Sequence, residues 1–135
     1  MTQQAMDVFG TAFKNGTATL MARILGNSGV PIVPTDVSAI ACSVYILDDQ
    51  EADARNVVPG HDAIPLAVDA VIQDALQSGP PWDALADAAG YNFCHTPDVS
   101  ANPAFPVAGR RCLVEYRLTP VAGQVILVRF RINVI

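Results

Sequence analysis

Long apolar runs are missing from this sequence. The longest, such as residues 125–128, extend over a few residues, far short of the ~20 that a membrane-spanning helix needs, so no span of the bilayer is expected. The first residues, Met1, Thr2, Gln3, Gln4 and Ala5, supply neither the basic region nor the apolar core of a secretory signal. Charge is sparse as well: 16% of residues are charged against 51% hydrophobic. With the apolar residues spread evenly, this excludes a disordered chain. Cysteines are few, and Cys42, Cys94 and Cys112 form an odd set with no close pair. That argues against a disulfide framework and against a zinc site, leaving reduced, buried thiols in a protein made and kept, or packaged, in a cytoplasm.

Catalytic signatures are missing too. The nine glycines are scattered singly at turns, without the spacing of a Walker or dinucleotide loop, and Gly26-Asn27-Ser28-Gly29 is not a nucleophile elbow. Cys94 stands beside His95, which invites a thiolate–imidazole pair, but neighbours in a strand point to opposite faces, so a structural cysteine is the better reading. His61 and His95 lie about thirty residues apart, without metal-ligand spacing, and are expected to face solvent. Asp48, Asp49, Glu51 and Asp53 gather oxygens that could attract calcium. They lack the glycine and the terminal glutamate of an EF-hand loop and read as a solvated charge run. Asn15-Gly16-Thr17 matches a glycosylation sequon but reads as a turn before a strand. No catalytic, cofactor-binding or metal-binding residue is expected, and no cofactor.

What is present is alternation. At 135 residues the chain suits one domain with a core of its own. Over residues 17–25, Ala18, Leu20, Ala22 and Ile24 alternate with Thr17, Thr19, Met21 and Arg23, predicting a half-buried strand. From Ser38, the positions Ile40, Cys42, Val44 and Ile46 form one face and Ala39, Ala41, Ser43, Tyr45 and Leu47 the other. Both are largely apolar, which predicts a central strand whose second face must be covered. Residues 48–62 show no period and read as a long exposed loop. Val68, Val71, Ile72, Ala75 and Leu76 fit helical spacing, although β-branched side chains also suit a strand; a short helix is expected here, and another after Pro80-Pro81, from Trp82 to Ala89. Residues 91–96 read as a short strand, and 97–109, with Pro97, Pro103 and Pro106, as a loop.

The clearest element closes the chain. Cys112, Val114, Tyr116 and Leu118 alternate with Arg111, Leu113, Glu115 and Arg117; Pro120-Val121-Ala122-Gly123 turns; and residues 124–135 return with Ile126, Val128, Phe130, Ile132 and Val134 on one side and Arg129, Arg131 and Asn133 on the other. This is a β-hairpin whose arginines share one solvent face. Charge divides accordingly. Residues 1–109 carry Lys14, Arg23 and Arg55 against eleven Asp and Glu51, a net of −9, whereas residues 110–135 carry five arginines against Glu115, a net of +4. Such asymmetry can mark a nucleic-acid surface or supply the two complementary faces of a repeating protein assembly, and five arginines without interleaved exposed aromatics favour the second. The fold expected is mostly β: an Ig-like antiparallel β-sandwich over residues 17–135 with one or two short helices, preceded by an N-terminal extended arm at 1–16.

Gly90-Tyr91-Asn92-Phe93, Phe105-Pro106, the run from Arg111 to Arg117 and Val128-Arg129-Phe130 together resemble small Ig-like domains of tailed-bacteriophage particle proteins, which serve as capsid decoration, neck or baseplate parts. The resemblance implies a non-enzymatic structural protein of the virion, assembled in the bacterial cytoplasm. As a capsid decoration (cement) protein it would bind the major capsid protein or another particle protein, as a homo-oligomer in a symmetric array, with no nucleic acid or membrane partner. A neck or baseplate component, or a module recognising a cell-surface glycan or protein, is the alternative; Trp82 and Phe105 are the aromatic candidates for glycan contact. The expected interface residues are Phe105, as the one large apolar side chain of the loop 97–109, with Arg111, Arg117, Arg129 and Arg131 on the hairpin.

Overall fold

The structure is a computed structural model that describes residues 4–26, 29–47, 55–77 and 91–135. The hairpin forms where alternation places it, with β8 (Arg111–Pro120) antiparallel to β9 (Ile126–Val134). The turn between them closes through Gly123, whose φ of 103° suits a residue without a side chain. Inward positions Cys112, Val114, Tyr116, Leu118, Ile126, Val128, Phe130, Ile132 and Val134 are all buried. β3 (Val37–Leu47) lies on the other side of β8, paired from Val37↔Pro120 to Ile46↔Cys112, and is central as its two apolar faces require. Its far edge pairs with two short strands, β4 (Arg55–Val57) and β5 (Ile64–Leu66).

A second sheet of three strands covers the inner face: β2 (Leu20–Ala22), β7 (Tyr91–His95) and β6 (Ile72–Gln77), in the order β2-β7-β6. Phe93 of this sheet meets Tyr116 edge-on at 4.8 Å and stacks on Phe130 at 5.8 Å, forming an aromatic centre between the layers. Set against β9-β8-β3, the order β2-β7-β6 is the B-E-D against G-F-C arrangement of an Ig-like sandwich, with β4 extending the larger sheet. The fold is therefore the β-sandwich expected.

Several expectations change. The N-terminal segment is not an arm outside the sandwich, because β1 (Gln4–Ala12) pairs parallel with β9 from Gln4↔Ile126 to Ala12↔Val134. The open edge of β9 offers a row of unpaired N–H and C=O groups that an extended segment satisfies. This pairing is the one parallel contact among the described strands. The helix expected across 68–76 is one turn, α1 (Val68–Val71), followed directly by β6: the β-branched Val71 and Ile72, both buried, go into sheet packing. The strand expected over 17–25 keeps its burial rhythm, with Leu20, Ala22 and Ile24 buried, but its ladder spans three residues. Beyond Ala22, the side chain of Asn92 takes over, accepting from Ile24 N at 2.7 Å. The 48–62 segment is not wholly an exposed loop, since 55–57 is a strand and Val58 and His61 are buried. Residues 82–89 and the acidic positions 48, 49, 51 and 53 lie outside the described residues.

Candidate protein-interaction face

The outer face of the larger sheet is built by the register of three strands. Glu115 stands between Ser43 and Arg129, Leu113 between Tyr45 and Arg131, and Arg117 between Ala41 and Leu127. Pleating puts these alternate residues on one side. Glu115 Oε2 lies 3.6 Å from Arg129 Nε and 3.5 Å from Arg55 Nη1, so one carboxylate is shared by two guanidinium groups. Arg55 also lies over the Tyr45 ring, 4.3 Å from its centroid, a cation–π contact. Leu113 is 3% exposed although it faces outward, between Tyr45 and Arg131 in the register. At one end, Arg110 donates through Nη2 to Leu47 O at 2.9 Å.

Four of the five expected interface residues therefore come together. Arg111 and Arg117 are exposed, whereas Arg129 and Arg131 are half-buried, with Arg129 held by Glu115. Arg55 joins them from a segment read as loop, and the signal that could have found it is the lone Glu115 facing a run of arginines. Phe105 does not join them. It is 0% exposed, as is Ala104, and its carbonyl accepts from Asn15 N at 2.8 Å. The loop 97–109 packs its one large apolar side chain into the sandwich, because burying a phenyl ring outweighs leaving it on a polar surface. Phe105 is a core residue and not an exposed anchor.

The histidines are not solvent groups either. His61 is buried and donates Nε2–H to Asn102 O at 2.8 Å; half-buried His95 is hydrogen-bonded through Nδ1 to Tyr116 Oη at 2.7 Å. The turn leading to His61 needs Gly60, whose φ is 82° and where a Cβ would collide with the Asn102 side chain. Both histidines line a small cavity of about 200 Å³ with Cys42, Asp98 and Asn102. Burial lowers the pKa of His95 and pushes the Cys42 thiol up to about 12, although a hydrogen bond with Tyr116 opposes the latter. Burial also pushes Cys112 up to about 11, against the nearby Arg110 charge, and raises half-buried Cys94. These thiols stay protonated at neutral pH and are weak nucleophiles there. Among the described residues the three cysteines are unbridged, and no three His, Cys, Asp or Glu side chains gather as a metal site would need.

A larger cleft of about 520 Å³ opens at one end of the sandwich, between the segment that joins β2 to β3 and the β8–β9 turn.

No family model, curated protein or solved structure matches this chain. Its functional reading therefore rests on the faces just described. Outside the arginine face, buried Asn92 has a clamping role that no local pattern signals: its amide accepts from Ile24 N and donates to Ile24 O at 2.9 Å and Ile32 O at 3.0 Å, tying the smaller sheet to the rim of the cleft.

Proposed function

We propose that this chain is a non-enzymatic structural protein of a bacteriophage particle, a capsid decoration module that binds the major capsid protein through the outer face of its six-stranded sheet. The observation that carries this reading is the make-up of that face. Arg55 and Arg129 flank the single carboxylate of Glu115, and Arg111, Arg117 and Arg131 extend the positive charge along the same side of the sheet beside Tyr45, on a chain with a net charge of −5. Arginine and tyrosine are the side chains that protein interfaces favour, because each combines wide apolar contact with directed hydrogen bonding. An acidic surface on a neighbouring subunit is the complement. A neck or baseplate position would use the same face.

Quantitative mass spectrometry of purified phage particles tests the reading, with an amount of this chain in fixed, symmetric ratio to the major capsid protein expected. Arg111→Glu with Arg117→Glu, both at exposed positions, should weaken incorporation and flatten its dependence on salt, since charge complementarity is screened over about 8–10 Å. Incorporation unchanged at every ionic strength would sink the assignment of this face. Absence of the chain from particles would sink the function.

A further inference from the structure

We propose that the chain associates with copies of itself head to tail, the Phe13–Lys14 tip of one copy seating in the end cleft of the next. The inference builds on the reading of the chain as an assembly subunit and names the contact it makes with its own kind.

The tip is a fixed projection. After β1 the chain reverses, with Lys14 N donating to Ile135 O, Asn15 N to Phe105 O and Gly16 N to Phe13 O, each at 2.8 Å. The turn passes through Asn15 at a φ of 61°, the left-handed region that asparagine tolerates. Phe13 is held outward by this framework at 72% exposure, the most exposed large apolar side chain among the described residues. Lys14, the only lysine of the chain, is exposed beside it.

The cleft is the matching concavity. The next most exposed large apolar side chains, Val121 at 68% and Val30 at 61%, line it, and its lining includes buried Ile32 and Ile126. Its walls are set in advance: Val121 N donates to Asp36 O at 2.9 Å, Gly26 N to Val30 O at 2.8 Å, and Asn92 fixes Ile32 from below. About 520 Å³ lies within the range of sites that enclose a ligand, and is ample for a phenyl ring with the stem of a lysine. Among the described residues of the lining, Asp36 is the only ionisable one. Its carboxylate accepts from Val33 N at 3.1 Å and remains exposed. An apolar group next to one positive charge is what this cleft complements, and Phe13 with Lys14 is that pair.

Tip and cleft stand at opposite poles. β9 begins at Ile126, in the cleft lining, and ends at Val134, which pairs with Ala12 immediately before Phe13. Nine strand residues at about 3.3 Å each separate the two poles by roughly 25–30 Å. A copy cannot fill its own cleft, so each carries one unused tip and one unused cleft. Such a heterologous contact closes into a ring or extends into a filament, according to the rotation between copies.

Sedimentation velocity on the full chain over a concentration series tests this. The average mass should climb with concentration. Phe13→Gln, which removes the apolar group of the tip without adding a charge, and Val121→Arg, which spoils the cleft by opposing Lys14, should each weaken association by about tenfold or more, with melting curves unchanged because both positions are exposed. The deciding experiment mixes the two variants. One intact cleft and one intact tip remain between them, so the mixture should form a dimer and nothing larger. A chain that stays monomeric at all concentrations overturns the proposal, as does association that ignores both substitutions, or a mixture that fails to dimerise. The readout is the mass of the isolated chain, whereas the proposed function is read from incorporation into particles, so either can fail while the other stands.

Discussion

The hydroxyl of Tyr116 and Nδ1 of His95 lie 2.7 Å apart, joining the inner face of the larger sheet to the central strand of the smaller one. Tyr116 is fully buried and also contacts Phe93 and Phe130 with its ring, so this hydrogen bond closes the polar end of an otherwise apolar centre. Tyr116→Phe keeps the ring and removes the hydroxyl. It should lower stability by about 1–3 kcal/mol, the range for a buried polar group left unpaired, as read from urea unfolding. A neutral effect would mean that the imidazole finds another partner.

The same residue makes stability depend on pH. Burial lowers the pKa of His95 below its usual 6.5, so between 6.5 and the folded value the unfolded chain binds a proton that the folded chain refuses. Stability is therefore complete above about 6.5 and falls as pH drops through that window. Urea midpoints measured from pH 7.5 downward should show this loss, and His95→Gln should remove that part of it. Identical pH profiles for the two proteins would refute the assignment.

Phe105→Ala tests where the loop 97–109 belongs. With the ring 0% exposed, truncation should cost about 3–5 kcal/mol, as for other buried aromatic side chains. A melting temperature close to that of the parent protein would show that the ring is a surface group after all.

Asn92 is the buried clamp between β7 and the segment that runs from Ile24 to Ile32. Asn92→Ala leaves Ile24 N and Ile32 O without their side-chain partners, at a cost of about 2–4 kcal/mol. Amide hydrogen exchange should accelerate first at Ile24, which alone of the two loses the partner of its N–H. Exchange that speeds up uniformly across the sandwich would mean that the clamp acts globally.

The thiols should react in an order set by burial. Cys94 is half-buried, whereas Cys42 and Cys112 are buried with pKa values of about 12 and about 11. Iodoacetamide applied to the folded protein should modify Cys94 first, and all three cysteines should react once urea is added. Modification of Cys42 at the rate of Cys94 in the folded state would contradict the packing.

Much of the sandwich is legible in local pattern. The inward rows of β3, β8 and β9, the turn at residues 120–123 and the burial rhythm of Leu20, Ala22 and Ile24 follow from a period of two, since pleating alone decides which residues share a face. The arginine face is legible for the same reason, because Arg111, Arg117, Arg129 and Arg131 hold one parity on two strands joined by a short turn. Partners distant in sequence are a different matter. That β1 lies parallel to β9, that Arg55 shares Glu115 with Arg129, that His61 and His95 line one cavity and that Phe105 turns inward all depend on contacts across dozens of residues. Periodicity reports that a face is buried, not what buries it. That choice was made only when the two sheets closed on one another, where shape, edge pairing and the expulsion of water from the core act on the whole chain at once.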